Sequence, residues 1–157
     1  MRTLSIAVCS VLFIVGCTQT PPPAAHKSDA VPDHDHHGAG PHGGTVADWG
    51  GGKYHVEFTV DHDKREATVY LLGSDEKTPA PVKASKLLLS ISDPLIQFEL
   101  APQPLAGEPE GSCSRFVGQH DNLGKVQEFA GTISAEVDGT PFAGDFNESS
   151  SSHTHKH

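Results

Sequence analysis

Residues Lys53-Tyr54-His55-Val56-Glu57-Phe58-Thr59-Val60-Asp61 alternate apolar and polar almost without a break. A helix would mix the two sets on one face, whereas an extended strand separates them. The stretch therefore predicts a strand with Tyr54, Val56, Phe58 and Val60 turned to a core. His55, Glu57, Thr59 and Asp61 turn the other way. Polar His62-Asp63-Lys64-Arg65 predicts a turn, and Glu66 to Leu72 a return strand with Ala67, Val69 and Leu71 inward. The pair reads as a β-hairpin with a loop of about four residues.

The same grammar continues downstream. Thr45 to Trp49 precedes the hairpin as a further strand, with Gly50-Gly51-Gly52 between. A short edge-like piece lies between Pro79 and Lys83, where proline suits only an edge. Lys86 to Ser92, Leu95 to Ala101, Ser114 to Val117, Gln127 to Val137 and Thr140 to Phe146 are further short strands. Asp93-Pro94 and Asp138-Gly139 supply turns, and Gln119 to Val126 holds one irregular or helical turn. About eight short strands with frequent turns predict an all-β fold. The architecture is an antiparallel β-sandwich or a small open barrel over residues 41–147. At 157 residues the chain is one domain's worth, and the folded part can bury a core without disulfides.

The two ends read differently. Leu4 to Val15 is apolar but too short to cross a bilayer, which takes about 20 residues. It ends in Ile14-Val15-Gly16-Cys17, which resembles the lipobox of bacterial lipoproteins. The resemblance implies a signal peptide over 1–16 and a lipidated Cys17, palmitate included, as the mature first residue. Several acyl chains on one cysteine anchor stably where one does not. Thr18 after the cysteine resembles the outer-membrane sorting pattern. The expected place is thus the cell envelope, anchored and facing the periplasm. Residues 17–40 read as a disordered tether carrying Pro21-Pro22-Pro23, and residues 148–157 as a disordered tail. Cys9 leaves with the signal, so Cys113 is the lone remaining thiol and no internal disulfide is expected.

Acidic residues number 20 against 11 basic ones, a net charge of −9. That disfavours nucleic acid as a partner and favours cations. The candidate chemistry is imidazole. His34, His36, His37 and His42 fall close together at the joint between tether and domain, and His153, His155 and His157 alternate in the tail. Neutral imidazole is a common ligand for zinc, copper and nickel. His55 and Glu57 share one strand face about 6.8 Å apart. With His42 brought in by the flexible Pro41-His42-Gly43-Gly44 segment, they form an expected divalent set of two histidines and a carboxylate. The plain alternative is a His-rich solvated linker and an ordinary polar pair on a sheet. The only methionine is Met1, so a thioether copper site is excluded. Imidazole and carboxylate suit Cu(II), Zn or Ni. No catalytic set stands out, and no enzyme is expected.

Pro41-His42-Gly43-Gly44, the Tyr54 to Phe58 strand and the Val69-Tyr70-Leu71-Leu72 return strand are similar to the small β domain of some heavy-metal efflux adaptor proteins. With the closing pair Phe129-Ala130-Gly131 and Gly139-Thr140-Pro141-Phe142, they also resemble a set of His-rich bacterial lipoproteins. The resemblance implies a metal-associated periplasmic module beside metal-efflux components. The chain lacks the helical hairpin and lipoyl-like module of a pump adaptor. The competing class is a structural or interaction lipoprotein whose histidines are solvated spacers.

Overall fold

A computed structural model describes residues 38–148. The strands are β1 (Thr45–Trp49), β2 (Tyr54–Asp61), β3 (Glu66–Leu72), β4 (Leu87–Ile91), β5 (Ile96–Pro102), β6 (Arg115–Gln119), β7 (Ala130–Val137) and β8 (Thr140–Asn147). One short 3-10 turn, Asp121–Gly124, precedes β7. The strands form a single antiparallel sheet in the order β1-β2-β3-β6-β5-β4-β7-β8. The piece between Pro79 and Val82 makes only isolated bridges, to Leu72 and Cys113. Two prolines in four residues remove the donors a continuous ladder needs.

Of the two expected architectures, the open barrel is the one that forms. The sheet curls until β8 lies against β1. At Gly144 a side chain would stand 2.3 Å from the Asp48 carbonyl oxygen and 2.8 Å from the Trp49 ring. Only glycine permits that approach. Trp49 then spans the gap. Its indole Nε1 donates to the Ile133 carbonyl at 3.0 Å, and its ring packs on Phe142 with centroids 5.6 Å apart. The seam is held by a side chain rather than by a strand ladder.

The interior is the apolar set the alternation predicts. Val56, Phe58, Ala67, Val69, Leu71, Leu89, Phe116, Phe129 and Ile133 are fully buried. Phe58 is its centre, stacked on Phe146 at 4.4 Å and edge-on to Phe129 at 6.5 Å. Those contacts join β2 to the far side of the barrel.

One expectation fails on the outer face. His55 and Glu57 point away from the core, as predicted, but they are not solvent-facing. His55 is 4% exposed and Glu57 0%. Two loops fold back over this face of β2. The segment 38–44 covers Glu57, and the segment 73–78 covers His55.

Candidate functional site

The four-residue hairpin loop sets Asp61 opposite Glu66, and so Glu57 opposite Tyr70 on the outer face. Val46 of β1 stands opposite Glu57 on the other side. The carboxylate thus rises between an apolar side chain and an aromatic ring. The Gly40 to Gly44 turn closes over it, with Gly43 N–H donating to the Gly40 carbonyl at 2.9 Å. A side chain at Gly40 would fall 2.4 Å from the Glu57 carboxyl carbon. The backbone can reach the carboxylate because nothing projects there.

Glu57 is fully engaged. Its Oε1 accepts from the backbone N–H of His42 at 2.7 Å and of Gly44 at 2.9 Å. Its Oε2 lies 2.7 Å from His42 Nδ1. Bonds to an ionised acceptor are roughly twice as strong as neutral ones, so this is a firm clasp between loop and sheet. A carboxylate only accepts, so Nδ1 carries the proton and Nε2 of the neutral ring keeps its lone pair. The His42 ring lies flat on Tyr70, with centroids 3.6 Å apart and planes within 6°. The His42 side chain is 38% exposed, and among the described residues nothing bonds to Nε2. The imidazole is therefore held at one nitrogen and one face, with the other nitrogen open.

His55 takes no part in this clasp. Its Nδ1 donates to the Gly73 carbonyl at 3.1 Å, and its Nε2 lies 3.5 Å from a Glu76 carboxylate oxygen. The expected convergence of His42, His55 and Glu57 on one ion is not what the fold produces. Glu57 spends its lone pairs on the loop, and the 73–78 loop claims His55. Among the described residues no group of three or more His, Cys, Asp or Glu side chains is placed to hold a metal ion.

The loop over His55 is built on Asp75. Its Oδ1 accepts from the Lys77 and Thr78 N–H groups at 3.1 and 2.9 Å, and its Oδ2 from the Thr78 hydroxyl at 2.6 Å. The Thr78 hydroxyl and backbone bonds hold the carboxyl down to about 2, from an ordinary 3.8. A depressed folded value means that the contribution is complete above 3.8 and fades as pH falls toward 2. NMR titration is expected to place the Asp75 midpoint near 2, with the Thr78 amide shift following it. A midpoint at 3.8 would show that Asp75 does not fasten the 73–78 turn as described.

The other described histidines are also committed at Nδ1. His62 donates to the Leu123 carbonyl at 2.8 Å, and His120 accepts from the Asn122 N–H at 3.2 Å. Asp61, beside His62, caps its own turn through Lys64, whose hydrogen bond lowers the Asp61 carboxyl. Burial pushes the Cys113 thiol up, and its Sγ donates to the Arg115 carbonyl at 2.8 Å. That is an inert structural thiol. Cys17, His34, His36, His37, His153, His155 and His157 lie outside the described residues.

No protein-family model matches the chain, and neither a curated protein nor a solved structure does. The clasp's own chemistry is the ground for a functional reading. Two residues of this face were not singled out in the sequence: Tyr70, which backs the His42 ring in the clasp, and Glu76, which faces His55 outside it. Tyr70 follows from the hairpin register. Glu76 sits at φ 59 in an irregular turn and left no periodic signal.

Proposed function

We propose that this chain is a lipid-anchored envelope protein, facing the periplasm from the outer membrane, that binds or buffers divalent transition-metal ions through its His-rich segments. The observation that carries this reading is the setting of His42. A carboxylate that fixes one imidazole nitrogen by hydrogen bond, so that the other is presented as a ligand, is the usual support behind a metal-ligating histidine. Glu57 is then an orienting group and not a ligand. His34, His36 and His37 precede His42 closely in the chain, and the histidines at 153, 155 and 157 add capacity. Cu(II), Zn(II) and Ni(II) all suit imidazole. The resemblance to efflux-adaptor β domains supports a place beside metal-efflux components. We assign the chain no reaction.

A second reading has its own observation. Every described bond of Glu57 also serves to fasten the 38–44 loop to the sheet. On that reading the clasp is purely structural, and the chain is an interaction lipoprotein.

Isothermal titration of the mature chain with Cu(II), Zn(II) and Ni(II) separates them. His42→Ala is expected to abolish the tightest site. Deleting residues 149–157 is expected to lower the number of ions bound and keep that site. Binding needs neutral imidazole and so weakens on acidification. A His42→Ala chain that keeps the tightest site leaves only a His-rich buffer. A parent chain that binds no more than a His-free control establishes the structural reading.

A further inference from the structure

We infer that a divalent ion taken up at His42 Nε2 locks the 38–44 segment onto the barrel, so that metal binding and docking of this strap reinforce each other. The inference rests on the metal-binding reading of His42 and adds a conformational response to it. The strap has no buried anchor. Ala39, Pro41, His42 and Gly43 are exposed, and Gly40 and Gly44 are only half-buried. Among the described residues, one bridge ties Ala39 to Thr45. Two bonds close the turn on itself, Gly40 N–H to the Gly44 carbonyl and Gly43 N–H to the Gly40 carbonyl. Its remaining hydrogen bonds end on the Glu57 carboxylate, and its ring contact is with Tyr70. A segment with so little buried apolar surface opens at low free energy, and its docking follows the strength of a few bonds.

The charge on the His42 ring sets that strength. The neutral ring already gives its Nδ1 proton to Glu57 Oε2 at 2.7 Å. An ion on Nε2 draws electrons from the ring and leaves it positive, which makes Nδ1–H a stronger donor to a carboxylate. Glu57 is 0% exposed, so water and salt screen the attraction little. The same charge lies flat on Tyr70, with centroids 3.6 Å apart, and an electron-rich ring face attracts a cation. Both gains vanish when the strap lifts. The ion therefore binds the docked strap better than the lifted one, and that difference shifts the equilibrium toward docking. The coupling runs both ways: whatever loosens the strap weakens the metal by the same factor.

The opposite arrangement would free Glu57 to join His42 on the ion. Reaching it costs the two N–H bonds on Oε1 and the stack on Tyr70. Gly40 gives a way to loosen the strap without touching a ligand. A side chain there would stand 2.4 Å from the Glu57 carboxyl carbon and 2.7 Å from its Oε1. Gly40→Ala therefore pushes the carboxylate off the strap and leaves the His42 ring chemically intact.

The test is hydrogen exchange by NMR on the mature chain, with and without saturating Zn(II). The amides of His42 and Gly44 report the strap, since both donate to Glu57 Oε1. The Thr78 amide, which donates to Asp75, is the control. Zn(II) is expected to slow exchange at His42 and Gly44 about tenfold, an ordinary size for coupled events, and to leave Thr78 unchanged. His42→Ala is expected to show no slowing at Gly44. Gly40→Ala is expected to exchange fast at both strap amides and to bind Zn(II) more weakly by a like factor. Unchanged strap exchange at Zn(II) saturation overturns the inference while the metal site stands. Faster exchange shows that the ion has drawn Glu57 away and also overturns it. Slowing that persists in His42→Ala, or spreads to Thr78, assigns the effect to ions on other histidines and overturns it too. So does a Gly40→Ala chain with fast strap exchange and the parent's Zn(II) affinity. A chain that binds no Zn(II) beyond a His-free control in isothermal titration removes the metal reading and the inference with it.

Discussion

Replacing Phe58 by alanine is expected to destabilise the barrel by about 3–5 kcal/mol, the usual range for emptying a buried aromatic site. The ring is fully buried and meets Phe146 and Phe129, which belong to β8 and to the approach to β7. Removing it empties the space between opposite walls, and a curled sheet cannot close such a hole by sliding one strand. Thermal unfolding followed by circular dichroism is expected to show a midpoint more than about 10 °C below the parent. A variant that melts within a few degrees of the parent would mean that β2 and β8 do not face each other across one core.

The second large effect is expected at Glu57, and it is a loss of affinity rather than of fold. In Glu57→Gln the side-chain oxygen can still accept from the His42 and Gly44 N–H groups. The amide nitrogen then faces His42 Nδ1, where the carboxylate Oε2 had been at 2.7 Å. An amide NH₂ donates, so Nδ1 must accept. The ring proton moves to Nε2 and occupies the position a metal would take. Loss of such an orienting partner typically costs about 10–100-fold in metal affinity. Zn(II) titration is expected to show a drop of that order, and nitrogen NMR of the imidazole is expected to show the tautomer exchanged. A variant with the parent's tautomer and the parent's affinity would remove Glu57 from any part in metal binding.

The hairpin at the heart of the fold was readable because its signals are local. The alternation in β2 and β3 and a four-residue loop determine the register, and with it the Glu57–Tyr70 pair. The Asp138-Gly139 turn likewise placed β7 against β8. The choice between sandwich and barrel was not readable. It depends on β8 meeting β1, and the residues that decide it, Gly144 and Trp49, are far apart in the chain. Periodicity reports which face of a strand meets the core, and says nothing about what covers the other face. His55 and Glu57 therefore read as solvent-facing, although loops 38–44 and 73–78 bury them. The histidine–carboxylate pairing was visible as a set of residue types. The division of labour within it was not, because that depends on which lone pairs the loop backbone has already taken.

The seam between β1 and β8 bears on how the barrel behaves among its neighbours. The two outermost strands of an open sheet offer backbone donors and acceptors to any extended segment that passes, and this is the usual start of self-templated aggregation. A recruited strand needs about 4.8 Å on each side to slot in. Around Gly144 the Asp48 backbone already fills the space where even a methyl group would go, and Trp49 bars the way from within. Each edge is the other's shield, and the close approach at Gly144 and the Trp49 indole together shut the seam to lateral adhesion by other polypeptides.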